Sequence, residues 1–206
     1  MANNTGVDAT TVKEFCHLCL WARRVWRSRR LVFDDNAQAV DCKYSSAPYF
    51  LNMMATVFQE YSLQRIVMLH DPAEQAGKAN LTIAYIVARG QWDTGVRKQL
   101  EDLTVKLDAF ADNLRQVRNK LLSHSDLNTV TGGKGNLGAF DEGADTDYFR
   151  SLQEFVNIIH DKMVGGIFPL DVAMDDNDAL AFARMIHEDC ERRKGILARL
   201  ATGRVP

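Results

Sequence analysis

Residues 96–124, VRKQLEDLTVKLDAFADNLRQVRNKLLSH, decide the fold. Apolar residues fall at Val96, Leu100, Leu103, Leu107, Phe110, Leu114, Val117 and Leu121, in steps that alternate between four and three. That rhythm is the seam of a long helix packed along other helices. The next step of three lands on His124, and Arg118 flanks the seam one residue past Val117. Packing alone would set another leucine at 124. A titratable imidazole and a cation beside an apolar seam point instead to chemistry.

Outward from this spine the chain stays helical. Phe15, Leu18, Cys19, Ala22, Val25 and Trp26 recur at helical spacing between Thr10 and Phe33. Pro48 suits the first turn of a second helix that runs to Leu69, and His70-Asp71-Pro72 stops it, because the residue before a proline is pushed out of helical geometry. Asn80 is placed to cap a short helix over Leu81–Ala88 that Gly90 ends. Residues 129–146 are glycine-rich and read as a flexible insertion loop before a helix resumes near Asp147. A last helix is expected to be capped within Asp175–Asp178 and to run to about Leu200. No strand-like alternation is visible. The expected architecture is an all-α up-and-down bundle with a long central helix, forming one domain over residues 1–206.

Composition narrows the partners. Charged residues make up 25% and hydrophobic residues 46% of 206, an ordinary globular balance, and the net charge of −2 advertises neither nucleic acid nor membrane. No apolar run suggests a membrane span and no signal peptide opens the chain. The four cysteines lack disulfide spacing, so a reducing cytoplasm is the expected location.

The run Val117–Asp126, VRNKLLSHSD, resembles the signature of HEPN helical domains: an arginine, often followed by asparagine, four to six residues before a histidine. Arg118, Asn119 and His124 fit it with five residues intervening. A second stretch, HDPAEQAGKANLTIAYI from His70 to Ile86, looks like the corresponding segment of the AbiU-like branch linked to abortive phage infection. The resemblance implies a metal-independent endoribonuclease with no cofactor, acting as a homodimer that brings two motifs into one cleft. It implies a toxin or phage-defence effector with an RNA substrate and an antitoxin or inhibitor protein. In that scheme the RNA 2′-hydroxyl attacks the adjacent phosphate and leaves a 2′,3′-cyclic phosphate. His124 moves the proton, since imidazole titrates near neutrality. Arg118 holds the phosphate oxygens with its planar fork. Asn119 and Ser123 either support these two or face solvent. Relatives that accept AMP carry a tyrosine two residues after the histidine; here that position is Asp126.

Six residues of α-helix amount to about 600° of rotation, which leaves Arg118 and His124 roughly 120° apart. Either the helix loosens near Ser123, or the arginine swings across the seam, or the pair converges with a second subunit's pair. A plainer reading has His124 capping helix carbonyls and Arg118 pairing with Asp126. The rival function is a non-catalytic helical interaction module that binds a protein or RNA.

Three other features carry less. Arg23, Arg27 and Arg30 form a basic stripe, with Trp21 and Trp26 interleaved, that could track RNA. As a solvated face paired with acidic neighbours, with its tryptophans in the core, the stripe needs no ligand. Cys16 and Cys19 sit one helical turn apart, but no second ligand pair matches them, and buried small hydrophobes explain them better than zinc. The glycine run around Lys134 lacks the ending of a phosphate loop.

Overall fold

The structure, a computed structural model, describes residues 6–34, 45–117, 141–171 and 173–202. Among them are six helices and one small hairpin: α1 (Ala9–Phe33), α2 (Pro48–Met68), β1 (Glu74–Gln75), β2 (Lys78–Ala79), α3 (Ile83–Arg89), α4 (Thr94–Val117), α5 (Ala144–Met163) and α6 (Ala173–Ala201). The fold is an all-α bundle, as the seam implied. No described helix is long and apolar enough to cross a membrane. The contacts gather into two compact units: residues up to Arg23 with Leu63–Leu170, and Arg24–Ser62 with Asp171 onward.

In the first unit α4 is the spine. Its seam from Val96 to Leu114 is buried throughout, and Leu100, Leu107 and Leu114 are completely so. Each such leucine contributes about 1.5–3 kcal/mol of burial. α4 packs along α5, whose Leu152, Phe155, Val156 and Ile159 are fully enclosed. α1 adds Val12 and Phe15, and the Phe15 ring meets Phe155 edge-on at 6.0 Å. Asp8 caps α1: one carboxylate oxygen accepts from both the amide and the hydroxyl of Thr11 at 2.7 Å.

α2 stops where expected. After Met68 the chain tightens through i→i−3 bonds, Leu69 N to Ile66 O and His70 N to Val67 O, and then meets Pro72. The next residues depart from expectation. A two-residue antiparallel hairpin pairs Glu74 with Ala79 and Gln75 with Lys78. Its turn residues, Ala76 and Gly77, both take positive φ, 51° and 74°, the twist that short hairpins require. Asn80 therefore does not cap α3. Its amide donates to Pro72 O, while Thr82 Oγ1 accepts from Tyr85 N and caps a helix that begins at Ile83.

Gly90 does end α3, for a different reason than a left-handed cap. Its φ is −76°, and a Cβ there would lie 2.3 Å from the Trp92 indole. That ring donates from Nε1 to Ile86 O, while Arg97 of α4 donates to Val87 O and Gly90 O. Two carbonyls of the short helix and that of its C-cap residue are thus bonded by side chains that follow it. α5 starts at Ala144, earlier than Asp147, because Gly143 at φ 84° provides the entry. His160 and Asp161 hold the turn after α5 through Gly166 O and Gly166 N.

In the second unit Leu31, Val32, Leu51 and Ala179 form the core, with Met54, Leu180, Phe182 and Ile186 against them. Pro48 opens α2 as its first residue. Just before it, Ser46 donates its amide and hydroxyl to Asp189 at 2.8 and 2.7 Å. Those bonds, with one from Arg192, hold the Asp189 carboxyl down at about 2 and anchor the segment that leads into α2. α6 begins at Ala173, ahead of the expected acidic cap. Asp176 instead pairs with Arg27 at 3.3 Å.

Candidate functional site

The corner after α2 points a histidine into the first unit. The His70 side chain has no exposed surface. Its Nδ1 lies 2.7 Å from Asp108 Oδ1 on α4, and its Nε2 lies 3.0 Å from the Tyr148 hydroxyl on α5. A buried imidazole must have both nitrogens satisfied, and here both are. The protons can be assigned from the pattern. The hydrogen bond from His70 is the main influence holding the Asp108 carboxyl below its usual range; partial burial opposes it, and the nearby Arg115 cation adds to it. Asp108 is thus ionised and accepts the hydrogen bond from Nδ1–H of His70. Burial, above all, pushes the Tyr148 phenol up, so its hydroxyl stays protonated and donates to Nε2.

Arg115 closes the arrangement from the far end of α4. It donates to His70 O at 2.7 Å, lies 3.8 Å from Asp108 Oδ1, and pairs with Asp112. Asp108 and Arg115 are seven residues apart and share a helix face. Aromatic rings wrap the Tyr148 side: Phe110 stacks on it at 4.8 Å and Phe149 meets it edge-on at 5.0 Å. Beside this cluster α4 and α5 border a groove of about 570 Å³ whose lining includes Lys106, Phe110, Asn113, Tyr148, Arg150 and Ser151.

With its imidazole wholly enclosed, His70 cannot touch a substrate. Only Asp108 reaches solvent, with 43% of its side chain exposed. The chemistry open to the network is therefore positional. It ties the end of α2, the last turns of α4 and the start of α5 into one hydrogen-bonded unit. Arg115 stands three residues before Arg118 in the sequence.

The motif residues Arg118, Asn119, Ser123 and His124 lie outside the described residues, which reach Val117 on that side. So do Asp126, the loop around Lys134 and Cys42. The basic stripe is described and its members are separately engaged. Arg23 lies over the Phe149 ring, 4.6 Å from its centroid. Arg27 pairs with Asp176, and Arg30 is half-buried. Its tryptophans divide: Trp26 is core, whereas Trp21 is 45% exposed. Cys16 and Cys19 are buried in the apolar interior, which pushes the first thiol up to about 12 and the second well above its usual value. They pack as small hydrophobes. Among the described residues no three metal-ligating side chains converge.

Sequence reading missed His70, Asp108, Arg115 and Tyr148 as a group. The one available signal was a histidine at the end of an apolar helix, which burial would oblige to find partners.

The described helices form an all-α bundle around a long seam helix, the fold class expected from the sequence. The family model described as AbiU2, a HEPN family, matches residues 8–182. The chain is a member of this abortive-infection family of the HEPN superfamily. Comparison with curated proteins and with solved structures gives no match.

Proposed function

We propose that the chain is a metal-independent endoribonuclease that works as a cytoplasmic homodimer, a toxin or phage-defence effector restrained by a partner protein. The observation that carries this reading is that the family match spans the run Arg118-Asn119 to His124, the arginine–histidine signature itself. The bracing of α4 supports it. Arg115, Asp108, His70 and Tyr148 make a stiff base for the residues that follow Val117, and a reacting pair needs its supporting elements fixed to a fraction of an ångström.

In the reaction the 2′-oxygen forms a bond to phosphorus and the bond to the 5′-oxygen breaks. His124 takes the 2′-hydroxyl proton, and a proton goes to the departing 5′-oxygen. Arg118 stabilises the charge that builds on the phosphoryl oxygens. Two copies of the motif, one per protomer, form the cleft. The test is incubation of the purified protein with total RNA in EDTA, alongside Arg118→Ala and His124→Ala. Cleavage that persists under chelation and falls by about 100-fold or more in each variant is the expected result. Intact RNA at every protein concentration overturns the nuclease reading and leaves a helical module that binds a protein or RNA.

A further inference from the structure

The first three turns of α2 are apolar on two sides. Leu51, Met54 and Phe58 face the core of the second unit, where Leu51 is buried, Met54 packs against the core cluster and Phe58 lies 6.4 Å from Phe33. The opposite side is open. Tyr49 is 90% exposed, Phe50 56%, Met53 55% and Val57 54%. These four, with Glu60, fall within about 100° of the helix circumference. From Pro48 to Gln59 the helix contains no charged residue, and Glu60 is the single charge before Arg65. With Asn52, Thr56 and Gln59 confined to the remaining side, the apolar surface is wider than one core-facing stripe needs.

We infer that this outer stripe of α2 is the surface on which a second copy of the chain docks, the two helices lying antiparallel about a twofold axis near Met53 and Val57. Three features favour a second copy. From Tyr49 to Val57 the stripe is uncharged, so that part meets itself without a mismatched charge. Its one charge sits at the C-terminal end. Antiparallel pairing sets Glu60 beside the partner's α2 N-terminal turn, which holds no acidic residue and whose dipole favours an anion. Parallel pairing would instead place the two Glu60 carboxylates together. Last, the four side chains expose on the order of 500 Å² per copy, since each aromatic alone carries 150–250 Å². Two copies would then hide roughly 1,000 Å², the lower bound of a specific interface before flanking residues are added. In the isologous arrangement Met53 of each copy meets Val57 of the partner subunit, and Phe50 lies near Glu60 of the partner subunit.

This locates the self-association invoked in the nuclease proposal. Its test contains no RNA, so its failure is distinct from failure of that chemistry. Sedimentation velocity of the full chain over a range of concentrations should show a monomer–dimer equilibrium. Val57→Glu and Met53→Glu, both at exposed positions that folding does not need, should each weaken it by about 100-fold. Glu60→Lys should weaken it by about tenfold, because it sets a cation against the positive end of the partner's helix. Met185→Glu, which alters an exposed apolar residue of α6 off the stripe, should change nothing. A wild-type chain that stays monomeric at all concentrations overturns the inference. So does a dimer that survives Met53→Glu combined with Val57→Glu, or one strengthened by Glu60→Lys. Circular dichroism of each variant establishes that the fold is intact.

Discussion

α4 and α2 are both long helices rich in apolar residues, and they place those residues differently. α4 gathers most of them on one seam, buries that seam from Val96 to Leu114, leaves Val105 exposed outside it, and keeps its polar residues either in water or in closed hydrogen bonds. The first turns of α2 spread them around the helix, bury one side and leave the other in solvent. The contrast separates two tasks. A helix that serves only its own fold needs one apolar stripe, so a second stripe that no described residue covers is material for another surface.

Truncating one residue from each stripe probes the contrast with the largest effect. Leu107→Ala removes a fully buried seam side chain and should cost about 3–5 kcal/mol in urea unfolding. Val57→Ala, measured at a concentration where the chain is monomeric, should stay within about 0.5 kcal/mol of wild type. Comparable losses at both sites would mean that the outer stripe of α2 contributes to the fold as the α4 seam does.

The buried network offers a middle-sized test. Tyr148→Phe removes the donor to His70 Nε2 and should cost about 1–2 kcal/mol. His70→Ala leaves both Asp108 and Tyr148 without the imidazole and should cost more, about 2–4 kcal/mol with the cavity included. If the network braces the motif, Tyr148→Phe should also lower kcat for RNA cleavage more than it raises KM.

The smallest effect concerns acid. The Asp189 carboxyl is held at about 2 in the folded chain, below the value of about 4 expected when unfolded. A depressed carboxyl contributes stability that is fully present above about 4 and is lost as pH falls toward about 2. Asp108, also lowered, acts in the same direction. Urea midpoints of wild type and Asp189→Asn should therefore differ at pH 7 and converge as the pH approaches 2. A gap that widens in acid would reverse the sign of this account.

Much of the fold could be read from the chain because period and punctuation are local. The four–three rhythm from Val96 to Leu114, the proline at 48 and the stop at His70-Asp71-Pro72 each act within a turn or two. What escaped reading depends on distant partners. Asp176 was a natural helix cap until Arg27, 149 residues away, claimed its carboxylate. His70 finds Asp108 at a separation of 38 residues and Tyr148 at 78, and no spacing rule joins them. The hairpin at Glu74–Ala79 is too short to alternate, and its turn sets alanine where glycine or asparagine is usual. The Arg118–His124 run was legible as a family signature. The arrangement of its side chains was not, because about 120° of helical rotation separates the two positions and sequence alone cannot close that angle.

The indole lodged against Gly90 has a practical corollary. Trp92 is almost dry and hydrogen-bonded in the folded chain, Trp26 is enclosed, and Trp21 stands nearly half in water. An aqueous quencher such as iodide would therefore reach chiefly one of three emitters. The blue-shifted remainder of the fluorescence would follow, without any added dye, whether the corner between α3 and α4 is shut.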